Sequence, residues 1–152
     1  MIHTDILAVR VERRRIAVAS FCGTTLDFAD VRELSASPHT AASSTRTYLA
    51  WAIDTFKPAA VAVERPTARA GTQREHLANV AFATFFGKSV YRVFIQPQSV
   101  REALGEPPLR NRRELHEVGR ALWPRLPGTR NPAAYDAALL GLHFQMLDLF
   151  MS

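Results

Sequence analysis

Three charged residues occupy positions where the sequence pattern predicts burial. Arg10 lies inside the apolar run ILAVRV, Glu64 ends the apolar run AAVAVE, and Asp136 lies one turn into an apolar segment near the end of the chain. A buried ion is costly unless an opposite charge or a metal compensates it. Buried carboxylates can bind Mg²⁺ or pair with a cation, so these three residues are the first candidates for a site.

The order of the predicted elements places the three charges at one edge of a sheet. The segment ILAVRVERRRIAVASF predicts a hairpin with its turn at residues 12–14, and a third strand follows at 25–34. A helix over 40–56 then leads to a buried strand over 59–64. A right-handed crossover would place that strand beside the first strand. Open α/β sheets hold their sites at the carboxyl ends of such strands.

The rest of the chain completes an α/β pattern. Its periodicity predicts a helix within residues 71–86, a strand over 89–95 and a short helix that ends at Gly105. Asn111, with Glu114 three residues on, predicts a capped helix, and Asn131-Pro132 predicts the start of the last helix with proline at its first position. We expect a single domain, residues 1–152, with a five-stranded mixed sheet flanked by helices. Its first three strands would be antiparallel, and strands four and five would run parallel to strand one.

The composition is that of a globular, basic chain. There are 19 Lys and Arg against 14 Asp and Glu, a formal charge of +5, and only two of the basic residues are lysine. An arginine-rich excess is compatible with a phosphate-rich partner, because guanidinium groups match phosphate oxygens. The single Cys22 excludes a disulfide framework and favours a reducing cytoplasm. No apolar run approaches a membrane span, and no Walker, dinucleotide or G-x-S-x-G motif is present.

Four segments resemble the RuvC-like Holliday junction resolvase family of the RNase H-like superfamily. They are ILAVRV, AVAVERP, VFIQPQSVREALG and NPAAYDAALLGLHF. The resemblance implies an RNase H-like fold over nearly the whole chain and action on DNA, including four-way junctions. It also implies that carboxylates from strand one, strand four and the last helix hold two Mg²⁺ ions for phosphodiester hydrolysis.

The chain departs from this family pattern at two positions. Glu64 and Asp136 match family carboxylates, but Arg10 replaces the strand-one aspartate and Ala133 replaces a second acid of the last helix. Arginine does not deprotonate, so two acids and a fixed cation make a poor two-metal site. We therefore predict a degenerate site in which Arg10 lies between Glu64 and Asp136. Any Mg²⁺ would depend on those two acids alone. A buried ion cluster without function is the simpler alternative.

The resemblance further implies a DNA-facing rim and a dimer. Arginines at the starts of two helices would contact phosphates: Arg65, Arg69, Arg74, Arg110, Arg112, Arg113 and Arg120. For any one of them, an ordinary solvated helix surface is the alternative. Helix 71–86 would supply the homodimer contact, because Phe82, Phe85 and Phe86 exceed what one core-facing stripe requires. His143 would either touch the site or pack into the core.

Three functions stay open at this stage. The first is a DNA-binding protein with weak or absent metal-dependent nuclease activity. The second is an active Mg²⁺-dependent junction-resolving endonuclease with an altered ligand set. The third is a protein-interaction module that kept the fold and lost DNA binding.

Overall fold

The computed structural model describes residues 5–66, 71–88 and 90–151, with side chains up to residue 147. The described residues form five strands and five helices in the predicted order: β1 (Ile6–Val11), β2 (Arg15–Cys22), β3 (Thr25–Glu33), α1 (Pro38–Phe56), β4 (Ala60–Glu64), α2 (Gln73–Thr84), β5 (Tyr91–Ile95), α3 (Pro97–Leu104), α4 (Arg112–Leu122) and α5 (Ala134–Met151). None of these helices is both long and apolar enough to cross a membrane.

The sheet has the predicted mixed topology. Its strand order is β3-β2-β1-β4-β5. β1, β2 and β3 form an antiparallel meander, while β4 is parallel to β1 and β5 is parallel to β4. The pairing of Val9 with Val63 makes Arg10 and Glu64 neighbours at the carboxyl ends of β1 and β4. The predicted fold class is confirmed.

Alternation along β1 separates two apolar layers. Leu7, Val9 and Val11 pack with α1 and α2, while Ile6 and Ala8 pack with α3, α4 and α5. Successive side chains of a strand point to opposite faces. Arg10 therefore shares the face of Ile6 and Ala8, which is the face that α5 covers.

The last helix lies close against the sheet. The first turns of α5 are buried all round, as expected of a helix inside a core. A methyl group at Gly141 would overlap the ring of Phe21 and touch Ala8 on β1. Glycine at this position lets α5 approach the sheet, and the approach brings its first turn to the edge where β1 and β4 end.

The start of the last helix differs from the prediction. α5 begins at Ala134, and Pro132 lies in the turn before it. The amide of Ala133 donates to Oδ1 of Asn131 at 3.0 Å, and the amide of Ala134 donates to the Asn131 carbonyl at 3.1 Å. Asparagine side chains form such local turns in competition with helix, so the helix starts after the turn.

The predicted cap of α4 is confirmed, except that Glu114 bonds to the amide of Arg110 and not to that of Asn111. Oδ1 of Asn111 accepts from the amide of Glu114 at 3.0 Å. The Glu114 carboxylate reaches back to the amide of Arg110, at 2.6 Å. Both bonds satisfy amide donors at the helix entry, and they fix the direction in which α4 leaves the preceding loop.

Of the three aromatic residues at the end of the predicted helix 71–86, two pack against other residues of the chain. Phe85 is buried, with 1% of its surface exposed, and Phe82 stacks on Phe94 with ring centroids 4.1 Å apart. Phe85 belongs to the core-facing stripe of the helix and packs with Leu77 and Ala81 beneath the sheet. Only Phe86 of the three is clearly exposed, at 73%.

Candidate functional site

Arg10 and Glu64 form a close ion pair at the edge of the sheet. Nη1 of Arg10 donates to Oε1 and to Oε2 of Glu64, at 2.8 Å in each case. The two side chains are only 12% and 6% exposed. Hydrogen bonds between ionised groups are the strong ones, so each residue compensates the burial of the other.

Asp136 completes the predicted group of three. Its side chain is 1% exposed, and its Oδ1 lies 3.9 Å from Nη1 of Arg10. Its Oδ2 accepts from Nε and Nη2 of Arg112, at 3.0 and 2.6 Å. The structure therefore brings Arg10, Glu64 and Asp136 together, and Arg10 lies closer to Glu64 than to Asp136.

Glu12 is a third carboxylate of the site, although its place in the predicted hairpin turn argued against a role there. Its Oε1 lies 2.8 Å from Nη2 of Arg112 and 3.5 Å from Nη2 of Arg10. Its Oε2 accepts from Nε of Arg15. The available signal was strand parity, since Glu12 is two residues beyond Arg10 and so shares its face.

His116 is a second residue that sequence reasoning did not assign to the site. Its Nε2 lies 3.1 Å from Oδ2 of Asp136, and its ring is 6.1 Å from the ring of Tyr135. Residues four apart on a helix lie on the same side. The i, i+4 spacing of Arg112 and His116 could therefore have indicated a shared partner on α5.

Arg74 enters the site from the first turn of α2. Its Nη2 donates to Oε1 of Glu64 at 3.2 Å, and its Nε donates to the Val11 carbonyl at 3.3 Å. Four guanidinium groups, one each from β1, β2, α2 and α4, thus contact three carboxylates. We call this set the arginine–carboxylate network: Arg10, Arg15, Arg74 and Arg112 with Glu12, Glu64 and Asp136.

Burial and the neighbouring charges have opposite effects on the pKa values of the network residues. Burial raises the pKa of Glu64 above its ordinary value, and the neighbouring guanidinium groups only partly offset this. Burial alone would also raise the pKa of Asp136. The hydrogen bond from His116 and the charge of Arg10 outweigh this effect and lower the pKa below its ordinary value. Burial alone would lower the pKa of Arg10, yet the three carboxylates raise it. Arg10 is therefore a permanent cation at this position.

A small cavity of about 60 Å³ opens beside the network. Four network residues line it together with residues of α3 and α4: Arg10, Glu64, Arg112, Asp136, Pro97, Val100, Arg101 and Leu115. Among the residues that the structure describes, no group of three or more His, Cys, Asp or Glu side chains is arranged to hold a metal ion. Both oxygens of Glu64 and Oδ2 of Asp136 accept from guanidinium nitrogens instead, while Oδ1 of Asp136 is buried without a hydrogen-bond partner within the described part of the chain.

The residues predicted to form a DNA-facing rim divide into two sets. Arg74 and Arg112 turn inward and join the network. Four others are exposed: Arg65, Arg110, Arg113 and Arg120. Arg110 pairs with Glu114 at 2.9 Å, and Arg113 lies 3.6 Å from Glu117. Arg69 lies outside the described residues.

His143 is a core residue of α5. It is 5% exposed, and burial lowers its pKa. It does not line the cavity beside the network. Of the two interpretations that the sequence left open, packing into the core is the one that the structure favours.

Solved structures match the fold, although no family model and no curated protein matches the sequence. Thermus thermophilus RuvC in complex with a Holliday junction substrate matches with a TM-score of 0.77 and 16% identity, over 96% of this chain and 95% of that one. The yeast mitochondrial Holliday junction resolvase gives 0.71 and 9%, over 93% and 79%. The fowlpox virus resolvase with junction DNA gives 0.62 and 11%, over 95% and 99%. The resemblance drawn from the sequence is confirmed at the level of the fold.

The residues present do not fit the two-metal site that the resemblance implies. Mg²⁺ requires near-octahedral oxygen ligands. Both oxygens of Glu64 already accept from Arg10, and Oδ2 of Asp136 accepts from Arg112. Position 133, where the family has a further acid, is a buried alanine. A divalent cation placed here would meet fixed positive charge in place of free carboxylates.

Replacing Arg10 tests whether the network depends on this cation. Arg10→Ala should lower the free energy of unfolding by about 3 kcal/mol at neutral pH, the lower end for breaking a buried ion pair, because Arg74 still contacts Glu64. The substitution should raise the pKa of Glu64 further. A carboxyl group whose pKa is higher in the folded state stabilises the fold below its unfolded-state pKa, and that contribution is lost as pH rises through the folded-state pKa. Urea unfolding should therefore show a smaller loss at about pH 5 than at about pH 7.

Two further variants control this measurement. Arg13→Ala removes an exposed arginine from the same hairpin and should change stability by less than about 0.5 kcal/mol. Arg10→Ala/Glu64→Gln removes the uncompensated charge as well and should recover part of the loss. If Arg10→Ala is as stable as the wild type at both pH values, the network does not depend on Arg10.

Proposed function

We propose that this chain, which has the fold of RuvC and related Holliday junction resolvases, binds branched or duplex DNA with weak or absent metal-dependent nuclease activity. Two of the matching structures contain Holliday junction DNA, those of RuvC and of the fowlpox virus resolvase. A four-way junction is therefore the first ligand to test. That residues 1–152 act as one domain, and in the cytoplasm, stays a prediction.

The contact between Arg10 and Glu64 is the observation that supports a loss of cleavage. Two-metal hydrolysis requires carboxylates that are free to hold the ions. Here Arg10 occupies both oxygens of Glu64 at 2.8 Å and reaches Asp136 at 3.9 Å. Since arginine keeps its charge at any working pH, the pairing does not open by deprotonation.

The exposed face of α4 supports DNA binding. Arg113 and Arg120 are both exposed and lie seven residues apart, about two helical turns, so they share one side of the helix. Arg110 precedes them at the helix entry. Arginines in such a row bind phosphates and position a duplex without reading its sequence.

One observation favours the alternative of an active endonuclease. The Glu12 carboxylate lies within 3.5 Å of Arg10 and shares Arg112 with Asp136. If Arg10 swung out, Glu12, Glu64 and Asp136 would form a set of three acids. A protein-interaction module is the remaining alternative, and it requires no DNA contact.

DNA binding should depend steeply on salt. The affinity for a fluorescent four-way junction, and for a duplex of equal length, should fall with salt, with a log–log slope of roughly −0.9 for each phosphate neutralised on duplex DNA. Arg113→Ala/Arg120→Ala should reduce that slope by about two such contacts. Arg46→Ala/Lys88→Ala removes the same charge from exposed positions on the other layer and should leave the slope unchanged. No salt-dependent binding near physiological ionic strength would favour the protein-interaction module.

Cleavage should be weak or absent with Mg²⁺ or Mn²⁺. Arg10→Asp/Ala133→Asp restores acids at both departing positions, and titration calorimetry should detect Mn²⁺ binding to this variant that the wild type lacks. Arg10→Asn/Ala133→Asn is the matched control without new charges. Complete metal-dependent junction cleavage by the wild type within minutes, abolished by Glu64→Gln, would contradict the proposal and establish the active endonuclease.

A homodimer through helix 71–86 is part of the proposal. Phe86 is 73% exposed and Tyr91 on the adjoining edge strand β5 is 66% exposed. The guanidinium of Arg92 lies 5.0 Å from the Phe86 ring. These exposed aromatics would be covered by a second copy of the chain.

Sedimentation velocity at micromolar concentration tests the dimer. The wild type should sediment as a dimer, and Phe86→Ser should shift it towards monomer because the substitution removes apolar area from the contact. Leu122→Ser changes a half-exposed apolar residue on the other layer and should leave the dimer intact. A monomeric wild type would contradict this part of the proposal.

A further inference from the structure

The loop between α4 and α5 forms a second polar cleft. The cleft has a volume of about 650 Å³, and its walls include Arg125, Thr129, Arg130 and Tyr135. We propose that it binds backbone phosphates of the same DNA that the arginine face of α4 contacts. The inference rests on the proposed function and adds two arginines that neither the sequence pattern nor the resemblance assigned.

Both arginines of the cleft are available to an external anion. Arg125 and Arg130 are exposed, and neither is within ion-pair distance of any carboxylate that the structure describes. No acidic residue lines the cleft. Arg110 and Arg113, by contrast, already have carboxylate partners on α4. The cleft is therefore more attractive to a phosphate than the helix entry is.

The loop is held in a fixed shape. Tyr135 donates its hydroxyl proton to the Trp123 carbonyl at 2.7 Å, and Ala29 of β3 donates to the Pro127 carbonyl at 2.7 Å. Gly128 has φ +101°, and a methyl group there would lie 2.7 Å from the Ala29 carbonyl oxygen. A binding loop that is already ordered loses less entropy when its ligand arrives.

The arginines of the cleft follow those of α4 directly in the chain. A helix of 11 residues is about 16 Å long, with Arg113 in its first turn and Arg120 in its last. Arg125 and Arg130 follow directly in the loop. Tyr135, which lines the cleft, packs against Gly119 of α4, so the cleft adjoins this helix. Among the described residues, the cleft shares no lining residue with the cavity beside the arginine–carboxylate network.

The chemistry of the cleft favours a phosphodiester over a nucleobase. Guanidinium groups bind phosphate in a fork, and the Thr129 hydroxyl can donate as well. The aromatic ring available, Tyr135, is 6% exposed and packs against Gly119. It therefore offers no open face on which a base could stack.

Arg125→Ala/Arg130→Ala tests the cleft in the full chain. Junction affinity measured by fluorescence anisotropy should fall more than tenfold at about 0.1 M salt, since each phosphate contact contributes roughly eightfold there, and the salt slope should decrease by about two contacts. Arg125→Lys/Arg130→Lys keeps both charges and should keep the wild-type slope. Arg46→Ala/Lys88→Ala should match the wild type, and circular dichroism should show that all variants are folded.

The outcomes separate this inference from the proposed function. A wild type without DNA binding overturns both. If the wild type binds DNA and Arg125→Ala/Arg130→Ala binds it as tightly as the Arg46→Ala/Lys88→Ala control, only the inference about the cleft is overturned. Inorganic phosphate is the second probe, and its binding to the cleft can be followed by NMR shifts of Thr129 and Arg130. If the cleft binds phosphate but the alanine variant still binds DNA normally, the cleft serves free anions and the inference is wrong.

Discussion

The parallel pairing of β1 with β4 is the constraint on which the site depends. It places Arg10 beside Glu64, and strand alternation turns both side chains towards α5. Gly141 then allows α5 to approach the sheet, so that Asp136 reaches the same edge. The local sequence of each element is apolar and ordinary. The charges meet because three elements end or begin at one place.

The network distributes its charges over shared partners. Arg112 contacts Glu12 and Asp136, while Arg10 contacts all three carboxylates at distances between 2.8 and 3.9 Å. Removing one side chain from such a network affects several hydrogen bonds, so the stabilisation by the network is not the sum of its pairwise contacts. A bound metal would stabilise the fold by an amount that rises with the logarithm of its concentration, once that exceeds the dissociation constant. A guanidinium that belongs to the chain balances the carboxylates whenever the protein folds.

The sequence was sufficient for the fold class and for the three central residues. Apolar runs with alternation or helical spacing predicted the elements, and a charge inside such a run marked Arg10, Glu64 and Asp136. The sequence was not sufficient to place Arg74 and Arg112 in the arginine–carboxylate network. Both were predicted to contact DNA phosphates at helix starts. The direction of a long side chain depends on how the helix packs against distant strands. Periodicity does not report that packing.

Two further residues of the site, His116 and Glu12, were not assigned to it from the sequence for a related reason. His116 and Glu12 are far apart in the chain and lie on a helix and in a turn, and neither position is unusual for its residue type. His116 lies on α4, and Glu12 pairs with Arg112 of the same helix. The position of α4 is set by its crossing over α5, where Gly119 lets the Tyr135 ring pack closely. A pattern within one element shows which side chains share a side of it, but does not fix the angle at which it crosses another element.

The hydrogen bond between Ala29 and Pro127 also affects how the molecule behaves towards other copies of itself. β3 is an outer strand of the sheet, and the free N–H groups of outer strands can recruit a strand from another molecule. Ala29 lies in the middle of β3, and its N–H is already bonded to the loop. An incoming strand would have to displace a loop that is anchored at Trp123 and Gly128. The basic loop therefore also protects the sheet from edge-to-edge aggregation.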